Sequence, residues 1–249
     1  MTRSITDPPA ANRGSRKWLQ VLVNCRPELL NDAVAQRLHE LPDDIDWRSP
    51  IWEDHYAEYR DQSFLERLAG STYYRAPLQA QQELSDFWPR FGPQWDGLAV
   101  TDRGQVLLLE AKAHIPEMVT APAQARGESA LLKIQESLGR VKNFVNSKAP
   151  VDWSTSFYQY ANRLAHLYWL REVNGHDAYL VNLYFVNDHE MNGPTTEAEW
   201  RAAIRLQEVF LGVRQGSPAG YALDSWVGAY SVDVFMDVND ISVPYPPPL

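Results

Sequence analysis

Cysteine is almost missing from this sequence: Cys25 is the only one among 249 residues. One thiol can close no internal disulfide and build no thiolate metal cluster, which favours a reducing, cytoplasmic setting. Long apolar runs are missing too. No stretch approaches the roughly 20 apolar residues that a membrane-spanning helix requires, so no membrane partner is expected. The opening residues, MTRSITDPPAANRGSR, lack the apolar core of a secretory signal, and residues 1–14 read as a disordered arm. An excess of positive charge is absent as well. Lys and Arg number 23 against 32 Asp and Glu, a formal net charge of −9. A protein that coats duplex DNA draws most of its affinity from neutralised phosphates, so this balance argues against that class. It leaves room for one local basic surface. No internal repeat and no long low-complexity run occurs, and the proline-rich end, residues 241–249, reads as an extended tail.

What is present is an ordinary globular composition, 45% hydrophobic and 22% charged. The length suits one large domain, or one domain with an extension. Ser15–Asn24 and Pro27–His39 read as short helices, the second with proline in its first turn, so residues 15–50 are expected to form a helical extension. A domain over residues 51–240 follows. Within it, Ile51, His55 or Tyr59, Phe64, Leu65 and Leu68 fall at helical spacing over 51–69, and Gly70 stops the run. A shorter helix is expected over 77–87, before Pro89. The pattern then changes to two strand-like runs, WDGLAV and QVLLLEAKAH, separated by Thr101-Asp102-Arg103-Gly104. Helices are expected at about 127–146, with Leu131, Ile134, Leu138, Val141 and Val145 on one stripe, and at about 155–172, capped by Ser154 or Thr155. Ala178–Val186 reads as a buried strand, 196–212 as a helix and Trp226–Val238 as a final strand region. The order implies an α/β or α+β domain, a mixed central sheet flanked by helices.

The hairpin carries the chemistry. Alternate residues of a strand share a face, so Val106, Leu108, Glu110, Lys112 and His114 point one way and Leu107, Leu109, Ala111 and Ala113 the other. Glu110 and Lys112 interrupt a run that is otherwise apolar on both faces. A buried charge needs a partner, a metal or a wet cleft. If Asp102-Arg103-Gly104 form a three-residue loop, Thr101 pairs with Gln105 and Asp96 falls directly opposite Glu110. A two-residue loop would oppose Asp96 to Leu109 instead. Directly opposed carboxylates repel unless a cation lies between them. Mg²⁺ or Mn²⁺ takes such hard oxygen ligands, and Asp96, Glu110 and the main-chain carbonyl of Ala111 are the candidate donors. Lys112 would orient an attacking water or balance charge developing on phosphorus. The plainer alternative is a strand-end ion pair of Glu110 and Lys112, with Asp96 capping a turn.

Asp96, followed after thirteen residues by Glu110-Ala111-Lys112 on a hydrophobic strand, resembles the core of the PD-(D/E)XK nuclease superfamily. The stretch from Phe87 to Asp96, FWPRFGPQWD, and FYQYANRLA from Phe157 to Ala165 resemble an uncharacterised bacterial branch of that superfamily. The usual proline before the aspartate is replaced by Trp95, with Pro93 two residues further back. The resemblance implies a restriction-endonuclease-like fold and Mg²⁺-dependent phosphodiester hydrolysis, on DNA first and RNA second. Nucleases of this type often pair to cut two strands, so a homodimer is a further expectation. The superfamily often adds a glutamate from the preceding helix. Glu58 is the candidate, with Glu53 and Glu66 as rivals.

Weaker signals surround this core. Gln159, Asn162, Arg163 and His166 make one polar face of a helix, suited either to nucleic acid or to solvent. Phe157, Ala161, Leu164 and Tyr168 lie opposite and should pack on the sheet. Lys133 and Arg140, with Arg126, Lys142 and Lys148, give residues 121–150 a local excess of positive charge, either a docking surface or a solvated face. His114 is a metal neighbour, a proton donor or a core histidine. Asn187-Asp188-His189-Glu190 follows a strand end, where ligands often bind, but reads more simply as a polar turn. Most of the nine Trp are expected in the core. A nuclease leads these readings; a nuclease-fold module that binds nucleic acid or a protein without cutting comes second, and a hydrolase of another metal-bound substrate third.

Overall fold

The computed structural model describes residues 5–6, 10–77, 81–191, 195–213 and 225–241. The helices are α1 (Gly14–Cys25), α2 (Pro27–Ala35), α3 (Gln62–Ala69), α4 (Leu84–Phe87), α5 (Glu128–Phe144), α6 (Tyr158–Tyr168), α7 (Glu197–Leu211) and α8 (Trp226–Tyr230). The strands are β1 (Ile5–Thr6), β2 (Ile45–Ser49), β3 (Glu58–Tyr59), β4 (Gly97–Thr101), β5 (Val106–Lys112), β6 (Ala178–Val186) and β7 (Ser231–Asp237). Five of the strands form one sheet in the order β2-β4-β5-β6-β7. The first two pairings are antiparallel and the last two parallel, the mixed sheet that the order of elements implies. Among the described residues no helix is long and apolar enough to cross a membrane.

The central strands are apolar on both faces because helices cover both. Leu107, Leu109, Ala111, Val181, Leu183, Val232 and Val234 pack with Leu19, Leu22, Leu30 and Val34 of α1 and α2. Leu98, Val100, Val106, Leu108 and Leu180 pack with Phe64 of α3, Ile134, Leu138 and Val141 of α5, and Ala161, Leu164 and Ala165 of α6. The stretch 15–50 thus supplies two helices and an edge strand to the same core. Residues 1–4 and 7–9 of the arm and all of residues 242–249 lie outside the described residues; within the arm, Ile5–Thr6 pairs antiparallel with Glu58–Tyr59.

Four stretches depart from the periodicity. The expected helix over 51–69 survives only as α3. Before it come a single 3-10 turn at Trp52–Asp54 and then β3, because His55, Tyr56 and Asp61 hold φ at 51°, 58° and 49° and no helix continues through left-handed residues. The helix expected over 77–87 shortens to α4, with residues 78–80 outside those described. Helix α6 starts from Phe157 at φ 55° rather than from Ser154 or Thr155, whose hydroxyls turn back onto Asp152 instead. It runs on through a π turn at Trp169–Val173. The final strand region is half helix: Ser225 caps α8 by accepting the Gly228 N–H at 3.0 Å, and β7 begins only at Ser231.

The hairpin adopts the three-residue turn. Thr101 N–H donates to the Gln105 carbonyl at 2.9 Å, Gly104 turns at φ 84°, and Gly97 through Val100 face Leu109 through Val106.

Candidate active site

Asp96 stands immediately before β4, and continuing the hairpin register sets it opposite Glu110. Its Oδ2 accepts the Ala111 N–H at 2.8 Å. Glu58 is carried in by β3, because the Trp95 N–H donates to the Tyr59 carbonyl at 3.0 Å. Its carboxylate takes Arg16 Nε at 3.1 Å and Gln94 Nε2 at 2.7 Å. Glu58 therefore comes from a strand, where the resemblance implied a helix, while its rivals Glu53 and Glu66 are exposed.

Three acids so close raise one another's affinity for protons. Burial pushes the Asp96 carboxyl well above the usual range, and the negative charges of Glu110 and Glu58 push it further. Glu58 is raised by burial, despite Arg16 and Gln94, with Glu110 adding to the rise. Glu110 behaves oppositely. Burial alone would raise it, but Arg163 and then Lys112 outweigh that and hold it below its ordinary value.

The cations responsible are tightly placed. Arg163, only 4% exposed, reaches Glu110 Oε2 with Nε at 2.8 Å and Nη2 at 2.6 Å. The same guanidinium donates to the Gln94 carbonyl at 2.8 Å and to Asn162 Oδ1 at 3.0 Å, and lies 4.8 Å from the Trp95 ring centre. Lys112 Nζ bridges Glu110 Oε1 at 3.0 Å and Gln159 Oε1 at 2.8 Å. Glu110 and Lys112 are thus an ion pair, as the plainer alternative holds, and they form it beside Asp96.

The polar row on α6 turns inward, which corrects the reading of that row as a face open to nucleic acid or solvent. Asn162, Arg163 and His166 are buried and Gln159 half-buried, because α6 is buried on every side from Ala161 to Leu167. His166 donates Nδ1–H to the Asn162 carbonyl at 2.9 Å and sits 4.9 Å from the Trp88 ring. Burial holds its pKa down at about 3. The basic candidates of α5 lie elsewhere: Lys133 Nζ donates to the Ser85 carbonyl at 3.0 Å and Arg140 to Gln82 at 3.2 Å. His114 pairs with Glu117 at 2.5 Å. The Asn187–Glu190 segment is a turn tied down by Asn187 to Asp237 at 2.6 Å and Lys17 to Glu190 at 2.5 Å.

Sequence reasoning missed how far the polar character extends. The register sets Asn182 of β6 beside Glu110, and Asp233 of β7 beside Asn182. Asn182 Nδ2 donates to Asp233 Oδ1 and to Ser231 Oγ, both at 3.1 Å. Burial, with the charge of Glu208 assisting, raises Asp233 to about 7. A small chamber beside Lys112 is lined by Gln159, Tyr160, Asn182, Tyr184 and Gln207. Asn182 was detectable by the argument that found Glu110, a polar residue inside an apolar strand.

As oxygen donors, Asp96 and Glu110 suit a hard divalent cation, and Asp96 has no side-chain hydrogen-bond or ion-pair partner among the described residues. Among those residues no three His, Cys, Asp or Glu side chains are arranged to hold a metal by themselves. Waters and substrate oxygens would have to complete the shell, as is usual for Mg²⁺. Comparison with known proteins gives no matching family model, no matching curated protein and no matching solved structure.

Proposed function

We propose that the chain is a Mg²⁺- or Mn²⁺-dependent nuclease acting on DNA, built on a restriction-endonuclease-like version of the mixed fold. One observation carries the reading. Three carboxylates, Glu58, Asp96 and Glu110, crowd one end of a hydrophobic hairpin, and Asp96 retains a raised proton affinity that a bound cation would relieve. The short Asp…Glu-x-Lys pattern agrees with it. Asp96 and Glu110, with the Ala111 carbonyl, would hold the ion. When bound, the metal supplies positive charge that polarises the scissile phosphate and acidifies water. Lys112, steadied by Gln159, orients the water and offsets charge growing on the phosphate oxygens. Arg163 holds Glu110 in place from beneath. Hydrolysis joins the water oxygen to phosphorus as the ester P–O bond breaks.

The assay is incubation of the purified chain with labelled single- and double-stranded DNA and RNA, in Mg²⁺, Mn²⁺ or EDTA. Cleavage should need the metal, and Asp96→Ala and Lys112→Ala should each lose about 100-fold or more. Cleavage that persists in either variant would sink the assignment. A second reading draws on the occupied state of Glu110, whose oxygens already face Arg163 and Lys112. It makes the chain a module that binds without cutting, and its signature is metal-dependent DNA binding with no product under any condition.

A further inference from the structure

The loop that delivers Asp96 also carries an unusual aromatic. Phe91 is 52% exposed and holds φ at 68°, a conformation that a bulky residue adopts only when its surroundings enforce it. Asp61 enforces it. Its carboxylate accepts the Phe91 N–H at 3.2 Å and the Gly92 N–H at 2.8 Å, and Asp61 itself holds φ at 49°. Two strained residues thus fix one exposed ring in place.

Cations gather around that ring. The Arg60 guanidinium carbon lies 5.2 Å from the Phe91 ring centre and that of Arg126 lies 4.7 Å away. Arg126 is followed at seven-residue intervals by Lys133 and Arg140, and all three lie against the segment that ends in Phe91. Arg140 also rests 5.3 Å from the Phe87 ring centre. The seam between α5 and this segment carries these three cations on a chain whose net charge is −9, with Glu83, Asp86, Glu128 and Glu136 exposed on the same two stretches. The Phe91 end of this seam is close to the carboxylates in sequence: Arg60 follows Glu58 by two residues, and Phe91 precedes Asp96 by five.

We propose that Phe91, Arg60 and Arg126 form a stacking platform for an unpaired base, with Lys133 and Arg140 extending it along the phosphate backbone of a single strand. A fixed aromatic flanked by guanidinium groups is the chemistry that binds single strands without sequence preference. Bases inside a duplex cannot reach such a ring. An exposed cation–π contact is weaker than base stacking, so a base displaces Arg126 from the ring and frees its guanidinium for a phosphate. The choice of ligand rests on the nuclease reading; the platform's geometry does not.

Binding is measured by fluorescence anisotropy on the full chain, with short labelled single-stranded DNA, single-stranded RNA and duplex DNA, in EDTA. The single strands should bind more tightly than the duplex, and the DNA and RNA arms identify the preferred sugar. Phe91→Ala should weaken single-strand binding by about 10-fold or more while Phe91→Tyr restores it. Arg126→Ala should weaken binding and lower the salt slope by about 0.7. Arg103→Ala, which removes the same charge at the far turn of the hairpin, should change neither. Wild-type binding by Phe91→Ala with an unchanged melting curve, a preference for duplex, or no single-strand binding at all would each overturn the platform. Asp96→Ala separates the two proposals, since it should stop cleavage and leave this binding intact. Loss of binding in Phe91→Ala therefore supports the platform even if nothing is ever cut.

Discussion

The two faces of the central sheet are made by the same strands, yet they are built on different principles. Toward α1 and α2, Leu107, Leu109, Ala111, Val181, Leu183, Val232 and Val234 form an unbroken apolar surface. Toward α6, the face begins apolar with Leu98, Val100, Val106, Leu108 and Leu180, then gives way to Glu110, Asn182 and Asp233 in one row across three strands. Burying that row requires partners, and α6 supplies them from its own inward face through Gln159 and Arg163. The first face is given over to packing alone. The other spends stability on a polar cluster next to a carboxylate left short of compensation, which is why the functional reading belongs there.

The largest expected effect tests that division directly. Arg163→Ala removes the main partner of a buried carboxylate, and loss of one half of a buried pair costs about 3–5 kcal/mol. On the opposite face, Leu109→Ala should cost about 2–5 kcal/mol through lost burial and the cavity left behind. Urea unfolding measures both. Their activities should differ: cleavage per folded molecule survives in Leu109→Ala and falls in Arg163→Ala, because only Arg163 holds Glu110. Equal retention of activity in both variants would erase the functional distinction between the faces.

Much of this contrast was legible in the sequence. Strand alternation along VLLLEAK assigned Glu110 and Lys112 to one face, but two loop lengths stayed open at Asp102-Arg103-Gly104, and the three-residue turn of the folded chain decides the register that brings Asp96 across from Glu110. Alternation is local, so it survives folding. What α6 does is not local. A helix with Gln159, Asn162, Arg163 and His166 on one side has the pattern of a surface helix, and only tertiary packing against a polar row of the sheet turns that side inward. The same holds for Glu58. Helical spacing ran through residues 51–69, but left-handed backbone at His55, Tyr56 and Asp61 overrides a periodicity that hydrophobicity alone suggests.

The next effect separates the faces by pH. His166 lies on the polar side, 1% exposed, with its pKa held down at about 3 by burial, against about 6.5 when unfolded. The unfolded chain therefore takes up a proton below pH 6.5 that the folded chain refuses. Stability contributed by neutral His166 is complete above that pH and is lost as the pH falls toward 3, at about 1.4 kcal/mol per pH unit. Unfolding free energies measured from pH 7 to 4 should fall less steeply in His166→Gln than in the wild type. Parallel curves for the two proteins would show that the histidine is not buried in its neutral form.

The smallest effect has the opposite sign. Asp96 is raised well above the ordinary carboxylate range by burial and by the charges of Glu110 and Glu58, so its ionised form works against the fold. That penalty is absent below the unfolded pKa of about 3.9 and grows as the pH rises toward neutrality. Asp96→Asn removes the charge and keeps an oxygen for the Ala111 N–H, so at pH 7 and in EDTA it should stabilise the protein by about 0.5–2 kcal/mol. At pH 3 the gain should vanish, because wild-type Asp96 is then protonated. Added Mg²⁺ should raise the melting temperature of the wild type and not that of Asp96→Asn, since ion binding needs the charge that folding resists. A destabilised Asp96→Asn at pH 7 would mean that Asp96 is a structural cap like any other, and that the polar face holds no charge waiting for a cation.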